Sequence, residues 1–270
     1  MSIRTDYHMH TPRCKHAAGP MEAYIERGIA LGLEEIGFSD HNPLPGGRGA
    51  SVRMDEDELD DYVADVLRLR ERYRGDIMVR LGLEMDYVAD IEDYLGEQAA
   101  RHPWDYIIGS VHYLDPQCQQ GAWHREYPGG PVALYAAYFA CMRRMVVTGF
   151  YDFVAHFDLP KRSGHPPTEE VEPLIEETLQ AILGAGVGIE INTSGFRHGD
   201  LNEAYPGPAV VQRAIEMGIP LSVNSDSHAP DQVGTAFTET SELLRDLGCE
   251  RLARYEGRQR EFYPLMTSVG

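Results

Sequence analysis

Positive charge, cysteine and long apolar runs are all scarce in this 270-residue sequence. Lys and Arg total 24 against 43 Asp and Glu, a formal net charge of −19. That balance works against any partner held by neutralising a phosphate backbone, so no nucleic-acid partner is expected. A small anion can still bind where a local cluster of cations or metal ions reverses the field. The four cysteines, Cys14, Cys118, Cys141 and Cys249, form no CxxC pair and are too few to staple a chain this size. They read as reduced thiols, with Cys14 alone near a candidate site. No run reaches the ~20 apolar residues of a membrane span, and Met1 leads straight into a strand pattern rather than a secretory leader. The expectation is a cytoplasmic enzyme with no membrane partner. Internal repeats and low-complexity linkers are also missing, which argues for one domain over 1–270.

What the chain does have is seven short apolar runs ending on histidine, carboxylate or a polar loop. They are IRTDYHMH (3–10), EIGFSDH (35–41), MVRLGLE (78–84), YIIGSVH (106–112), FVAHF (153–157), GIEINTSG (188–195) and PLSVNSDSH (220–228). Segments with apolar residues at three- and four-residue spacing lie between and after them, at 20–32, 57–73, 89–101, 131–148, 168–185, 207–218 and 238–247. Strand and helix therefore alternate throughout, as in a parallel sheet with right-handed crossovers. If seven such units wind into an α/β barrel, the strand ends converge on one rim, where barrel enzymes keep their active sites. The polar, Gly- and Pro-bearing loops 42–56 and 114–130 each follow a strand end and are candidates for substrate loops or lids.

At the strand ends the residue types suit metal chemistry. His8 and His10 flank one residue, so in a strand both imidazoles face the same way. His16 follows in a loop able to fold back over the strand end. Asp40 and His41 close the second run, where an Asp beside a His can hold the ring's tautomer or simply cap a helix. Glu84 follows VRLGL, and a carboxylate there is costly to bury unless paired or metal bound; Asp86 reads as a loop or cap residue. His112, His156, Asp226 and His228 complete the set. His102, His124, His165 and His198 fall in loops or helix ends and are left off it, with His124 kept as a loop contact. Taken singly, each residue has an ordinary structural explanation, but together the nine candidates are too many for one tetrahedral ion. Two or three ions sharing Glu84 would account for them. Imidazole and carboxylate without thiolate suits Zn²⁺, Mn²⁺ or Fe²⁺ rather than Mg²⁺ or Ca²⁺ alone.

The motifs HTPRCKHA, GFSDHNPLP, GLEMDY, DYIIGSVHYL, HFDLPKR and SDSHAPDQVG resemble those of the polymerase and histidinol phosphatase (PHP) superfamily. The closest resemblance is to its stand-alone histidinol-phosphate phosphatases, and it runs from Tyr7 to the end. It implies a distorted (β/α)7 barrel with three divalent ions, zinc, manganese or iron. The first would be held by His8, His10, Glu84 and Asp226, the second by Glu84, His112 and His156, and the third by His16, His41 and His228. Ala155 departs from the glycine of many relatives without touching a ligand. The implied reaction is hydrolysis of a small phosphate ester, L-histidinol phosphate, in histidine biosynthesis by a metal-bound hydroxide. Arg197 and Lys161 or Arg162 are the candidate phosphate cations, Asp40 a candidate general acid, and acidic rim residues would receive the cationic alcohol. The rivals are a PHP phosphoesterase acting on nucleotides or other small phosphate esters, an amidohydrolase-like barrel, and a non-catalytic metal-binding module. No strand run ends on the lysine an amidohydrolase would want, and filled ligand positions argue against a decayed site.

Overall fold

The computed structural model describes residues 2–199 and 201–265. Strands β1 (Thr5–Asp6), β2 (Glu35–Phe38), β3 (Met78–Asp86), β4 (Tyr106–Ser110), β5 (Phe153–Val154), β6 (Gly188–Asn192) and β7 (Leu221–Asn224) form one sheet in chain order. Every neighbouring pair is parallel, with Thr5 opposite Glu35, Gly82 opposite Tyr106 and Ile189 opposite Leu221. Helices α1 (Met21–Leu31), α2 (Leu59–Arg72), α3 (Glu92–Arg101), α4 (Gly130–Val146), α5 (Glu172–Ala185) and α6 (Pro208–Met217) make the crossovers, and α7 (Phe237–Asp246) follows the last strand. The first helix shows why the pattern was readable: Pro20 precedes it and Gly32 closes it at φ 75°, a left-handed conformation cheap only for glycine.

The barrel closes where the first and last strands leave the sheet. Met9 bridges Ser227 in parallel, with His10 N–H donating to Ser227 O and Ser227 N–H to His8 O, both at 2.9 Å. These bonds lie at the same end as the ligand-type residues, so closure and site assembly use one piece of backbone.

Two interiors result. The larger packs helices against the outside of the barrel, with Ile36, Leu81, Leu83, Tyr138 and Leu179 among its fully buried members. The smaller fills the barrel and contains Tyr7, Tyr106, Ile108, Phe153 and Ala155, joined by Ala253 and Tyr255. Those last two come from an antiparallel hairpin, β8 (Arg251–Glu256) and β9 (Gln259–Pro264), which the strand reading did not anticipate. The tyrosine hydroxyl of Tyr106 crosses the barrel to the carbonyls of Tyr7 and Phe38, at 2.5 and 3.2 Å. Gly37 and Gly82 make room for it, since a Cβ on either would lie 2.2 Å from a Tyr106 atom. All four cysteines are free. No described helix is long and apolar enough to cross a membrane.

Candidate metal centre

Glu84, fully buried near the end of β3, sits at the middle of the strand ends. Its two carboxylate oxygens face different groups of imidazoles. Oε2 lies 2.8 Å from His41 Nδ1, 3.3 Å from His8 Nε2 and 3.5 Å from His10 Nε2. Oε1 lies 3.2 Å from His156 Nε2 and 3.7 Å from His112 Nε2, and accepts from Ser110 Oγ at 2.5 Å. Asp226 Oδ1 adds a second anion, 3.2 Å from His10 Nε2, 3.7 Å from His8 Nε2 and 3.6 Å from His228 Nδ1. His228 Nε2 in turn faces His16 Nε2 at 2.9 Å. All nine expected residues are therefore drawn together. His41 stands between groups, its ring 4.4 Å from that of His10, 5.4 Å from His16 and 5.2 Å from His112.

Backbone strain marks two of these positions. His156 has φ 25° and Asp226 φ 52°, outside the regions an L-residue with a side chain normally occupies. Arg197 helps to hold the second, donating through Nη1 to Ser225 O at 2.8 Å and through Nη2 to Asp226 O at 2.7 Å.

A second layer aims the rings. Glu190, on β6, lies 2.8 Å from His8 Nδ1 and also accepts from Asn192 and Asn224 side chains at 2.8 and 3.0 Å. Asp86 holds His112 Nδ1 at 2.5 Å and is itself held by Arg53 Nη2 at 2.5 Å. Asp40 faces His10 Nδ1 at 3.4 Å, and the Cys14 carbonyl faces His16 Nδ1 at 2.7 Å. Tying Nδ1 outward leaves Nε2 pointing to the centre, the arrangement typical of metal-ligating histidine.

The group fits metal ions on its own chemistry. His8 Nε2, His10 Nε2, His41 Nδ1 and Glu84 Oε2 are buried without a hydrogen-bond partner, a costly state that a cation relieves. Two ligand atoms on one tetrahedral zinc stand about 3.3 Å apart for bonds near 2.0 Å, comparable to the 2.9–3.7 Å at which His8, His10, His112 and His156 face Glu84 oxygens and His16 faces His228. Burial opposes charge at Glu84, yet the neighbouring His41, His8 and His112 hold its carboxyl well below the usual range. Burial pushes His41 down to about 4, and burial with the His10 charge takes His228 to about 2. His8 goes the other way: burial lowers it, but Glu190, Asp226 and Glu84 lift it well above its ordinary value. Protons thus compete with any cation for the carboxylate-rich half of the cluster.

Above the cluster opens a cavity of about 530 Å³. Val52 and Arg53 from loop 42–56, Tyr113 beside loop 114–130 and Trp123 within it line the cavity, as do Arg162, Arg197, His198 and Tyr205. Three expectations are corrected here. Lys161 is not on the rim: the tight turn Leu159–Ser163 sends it inward, where it donates to Glu203 Oε1 at 2.8 Å and Ala204 O at 2.7 Å and pairs with Asp158 at 3.0 Å. Asp40 does not line the cavity; it is fully buried, accepting from Thr11 and from His41 N–H, and so cannot serve as a general acid there. No carboxylate other than Glu84 and Asp226 lines the cavity among the described residues, so the acidic rim expected to receive a cationic alcohol is replaced by arginine and aromatic side chains. Arg162 is exposed and, among the described residues, makes no hydrogen bond or ion pair, whereas Arg197 is half-buried. His124 does not line the cavity, where its neighbour Trp123 does.

Sequence reasoning missed Glu190 and Asp86. For Glu190 the signal was present, since GIEIN places a carboxylate inside an apolar strand, the same cost that singled out Glu84.

Comparison with known proteins shows which family the chain resembles. Residues 6–194 match the PHP domain family and residues 210–249 a PHP-associated family. A Deinococcus radiodurans protein named "Probable histidinol-phosphatase" is 36% identical over 254 residues, covering 90% of this chain and 93% of the relative. The histidinol-phosphatase of Bacillus subtilis is 29% identical over 266 residues, covering 87% and 97%. Among solved structures, a histidinol phosphate phosphatase from Lactococcus lactis in complex with zinc, L-histidinol and phosphate superposes with a TM-score of 0.80 at 20% identity, covering 96% of this chain and 98% of that one.

Proposed function

The chain belongs to the PHP domain family, and from that premise we propose that it is a phosphomonoesterase hydrolysing L-histidinol phosphate to L-histidinol and inorganic phosphate in histidine biosynthesis. The observation that carries the reading is the buried Glu84 carboxylate, with its two oxygens facing separate imidazole groups beneath an arginine-walled cavity. The relatives named for this activity supply the substrate. We read 1–270 as one catalytic domain acting in the cytoplasm.

Three divalent ions, zinc, manganese or iron, are assigned to His8, His10, Glu84 and Asp226; to Glu84, His112 and His156; and to His16, His41 and His228. When bound, the ions supply Lewis acidity toward the phosphoryl oxygens and lower the pKa of a water. Everything else falls to the chain. Glu190 and Asp86 keep His8 and His112 in one tautomer and orientation. Arg162 meets the phosphate, which carries close to two negative charges near neutral pH, and Arg197 both lines the cavity and braces Asp226. Trp123 and Tyr113, with ring centroids 5.9 Å apart, form an aromatic wall against which the alcohol's imidazole packs.

A second reading has one observation in its favour. Cavity walls of arginine and aromatic residues without a free carboxylate also suit a more anionic ester such as a nucleotide. A turnover panel on the purified chain with Mn²⁺ or Zn²⁺ separates the two: histidinol phosphate, a nucleoside monophosphate and an aryl phosphate. A wide preference for histidinol phosphate is expected. Comparable turnover of the nucleotide would leave only the class, and no phosphate release from any ester would overturn both.

A further inference from the structure

We propose that Cys14 is a metal ligand, supplying a thiolate to the ion assigned to His16, His41 and His228; the inference rests on the metal reading above. Neither the motif spacing nor the ligand assignment gave this cysteine a role. The placement does. Thr11 Oγ1 accepts from Arg13 N–H at 3.3 Å, Cys14 N–H donates to Thr11 O at 3.1 Å and Lys15 N–H to Pro12 O at 3.0 Å. This tight turn, closed by Lys15 at φ 68°, folds the chain back so that Cys14 is completely buried, its sulfur within 4.8 Å of a ring nitrogen of His10 and of one of His16. Its sulfur, one ring nitrogen of His16 and one of His228 all lie within 4.8 Å of one another.

Two independent features point the same way. His16 Nδ1 is occupied by the Cys14 carbonyl, which turns Nε2 toward His228 Nε2 and makes a pair of facing imidazole nitrogens on the sulfur's side of the cluster. His10, His41 and His228 also offer nitrogens within 4.8 Å of one another, so His228 belongs to both groups, and His10 Nε2 and His41 Nδ1 are buried without hydrogen-bond partners. Charge supplies the motive. The ions assigned to the Glu84 and Asp226 groups each meet a carboxylate, whereas His16, His41 and His228 are three neutral rings around a divalent cation. A thiolate would place an anion there, its proton leaving as the ion binds. It would also bias that position toward softer ions such as Zn²⁺ over Mn²⁺.

Cobalt substitution tests this without reference to turnover. The purified full-length chain, loaded with Co²⁺ alone, is expected to show a near-ultraviolet thiolate-to-cobalt charge-transfer band beside the visible d–d bands of imidazole-bound cobalt. The band should persist when Cys118, Cys141 and Cys249 are all changed to Ser. It should vanish in Cys14→Ser, with elemental analysis showing up to one fewer ion per chain. Wild-type d–d bands without charge transfer, or a band retained in Cys14→Ser, would overturn the thiolate ligand while leaving the metal centre standing. No cobalt absorption at all would overturn both.

Discussion

Glu190 is the residue on which the chemistry of the centre most quietly depends. Its oxygens meet His8 Nδ1, the His156 backbone N–H and the amides of Asn192 and Asn224, so one buried carboxylate orients one candidate ligand ring and the strained turn that carries another. Glu190→Gln keeps the volume and removes the charge. Metal affinity is expected to fall about 10- to 100-fold, read by competition against a chromophoric chelator, with the far-ultraviolet circular dichroism unchanged; undiminished affinity would show that His8 is oriented by something else. The arginines divide by their partners. Arg162, free of described partners, should on mutation to Ala raise KM for the phosphate ester and leave metal content intact. Arg197→Ala also releases the Asp226 carbonyl, held at 2.7 Å beside a backbone at φ 52°, so metal content should drop with activity; equal metal in the two variants would sink this distinction. The residues legible in the sequence were those whose burial is expensive, Glu84 and the histidines ending apolar runs. Lys161 was misread because its partner Glu203 is 42 positions away, a contact no local pattern reveals.

Among the elements, helices were the most legible because a buried stripe repeats over several turns: the segment expected at 57–73 is α2, Leu59–Arg72, and that at 207–218 is α6, Pro208–Met217. The strands were located but overextended. FVAHF pairs only at Phe153–Val154, since His156 at φ 25° bends the chain away from the ladder to aim its ring. The β8–β9 hairpin escaped because its inward residues are only Leu252, Tyr255, Tyr263 and the small Ala253, scattered among charges. Inside the barrel the tightest constraint is glycine opposite Tyr106. A methyl at Gly82 would meet the ring's Cε2 and Cζ at 2.2 Å, and the ring is pinned at its hydroxyl by two carbonyls. Gly82→Ala is therefore expected to destabilise by about 3 kcal/mol, the upper end for overpacking, seen as a lower urea midpoint at unchanged slope. A midpoint within error of wild type would mean that the tyrosine can swing clear.

At the scale of the whole molecule, strand order follows from the βα alternation, but closure does not, because it depends on two segments more than two hundred residues apart meeting at Met9 and Ser227. The candidate ligands leave from six of the seven barrel strands, so bound ions would tie β1, β2, β3, β4, β5 and β7 together at one rim. Ions that bind only the folded chain stabilise it by mass action, about 2.7 kcal/mol per site at a hundredfold excess over Kd. With roughly 2 °C per kcal/mol for a chain of this size, each saturated site raises Tm by about 5 °C. Treating the loaded protein with a chelator should lower Tm by at least that amount, and readdition of Zn²⁺ should restore it in a concentration-dependent way. Glu84→Gln, which weakens two of the assigned ions at once, should melt with much less response to either treatment. A wild-type Tm indifferent to the chelator, with elemental analysis confirming that the metal has left, would mean that the hydrogen bonds at the Met9–Ser227 seam hold the rim closed without help.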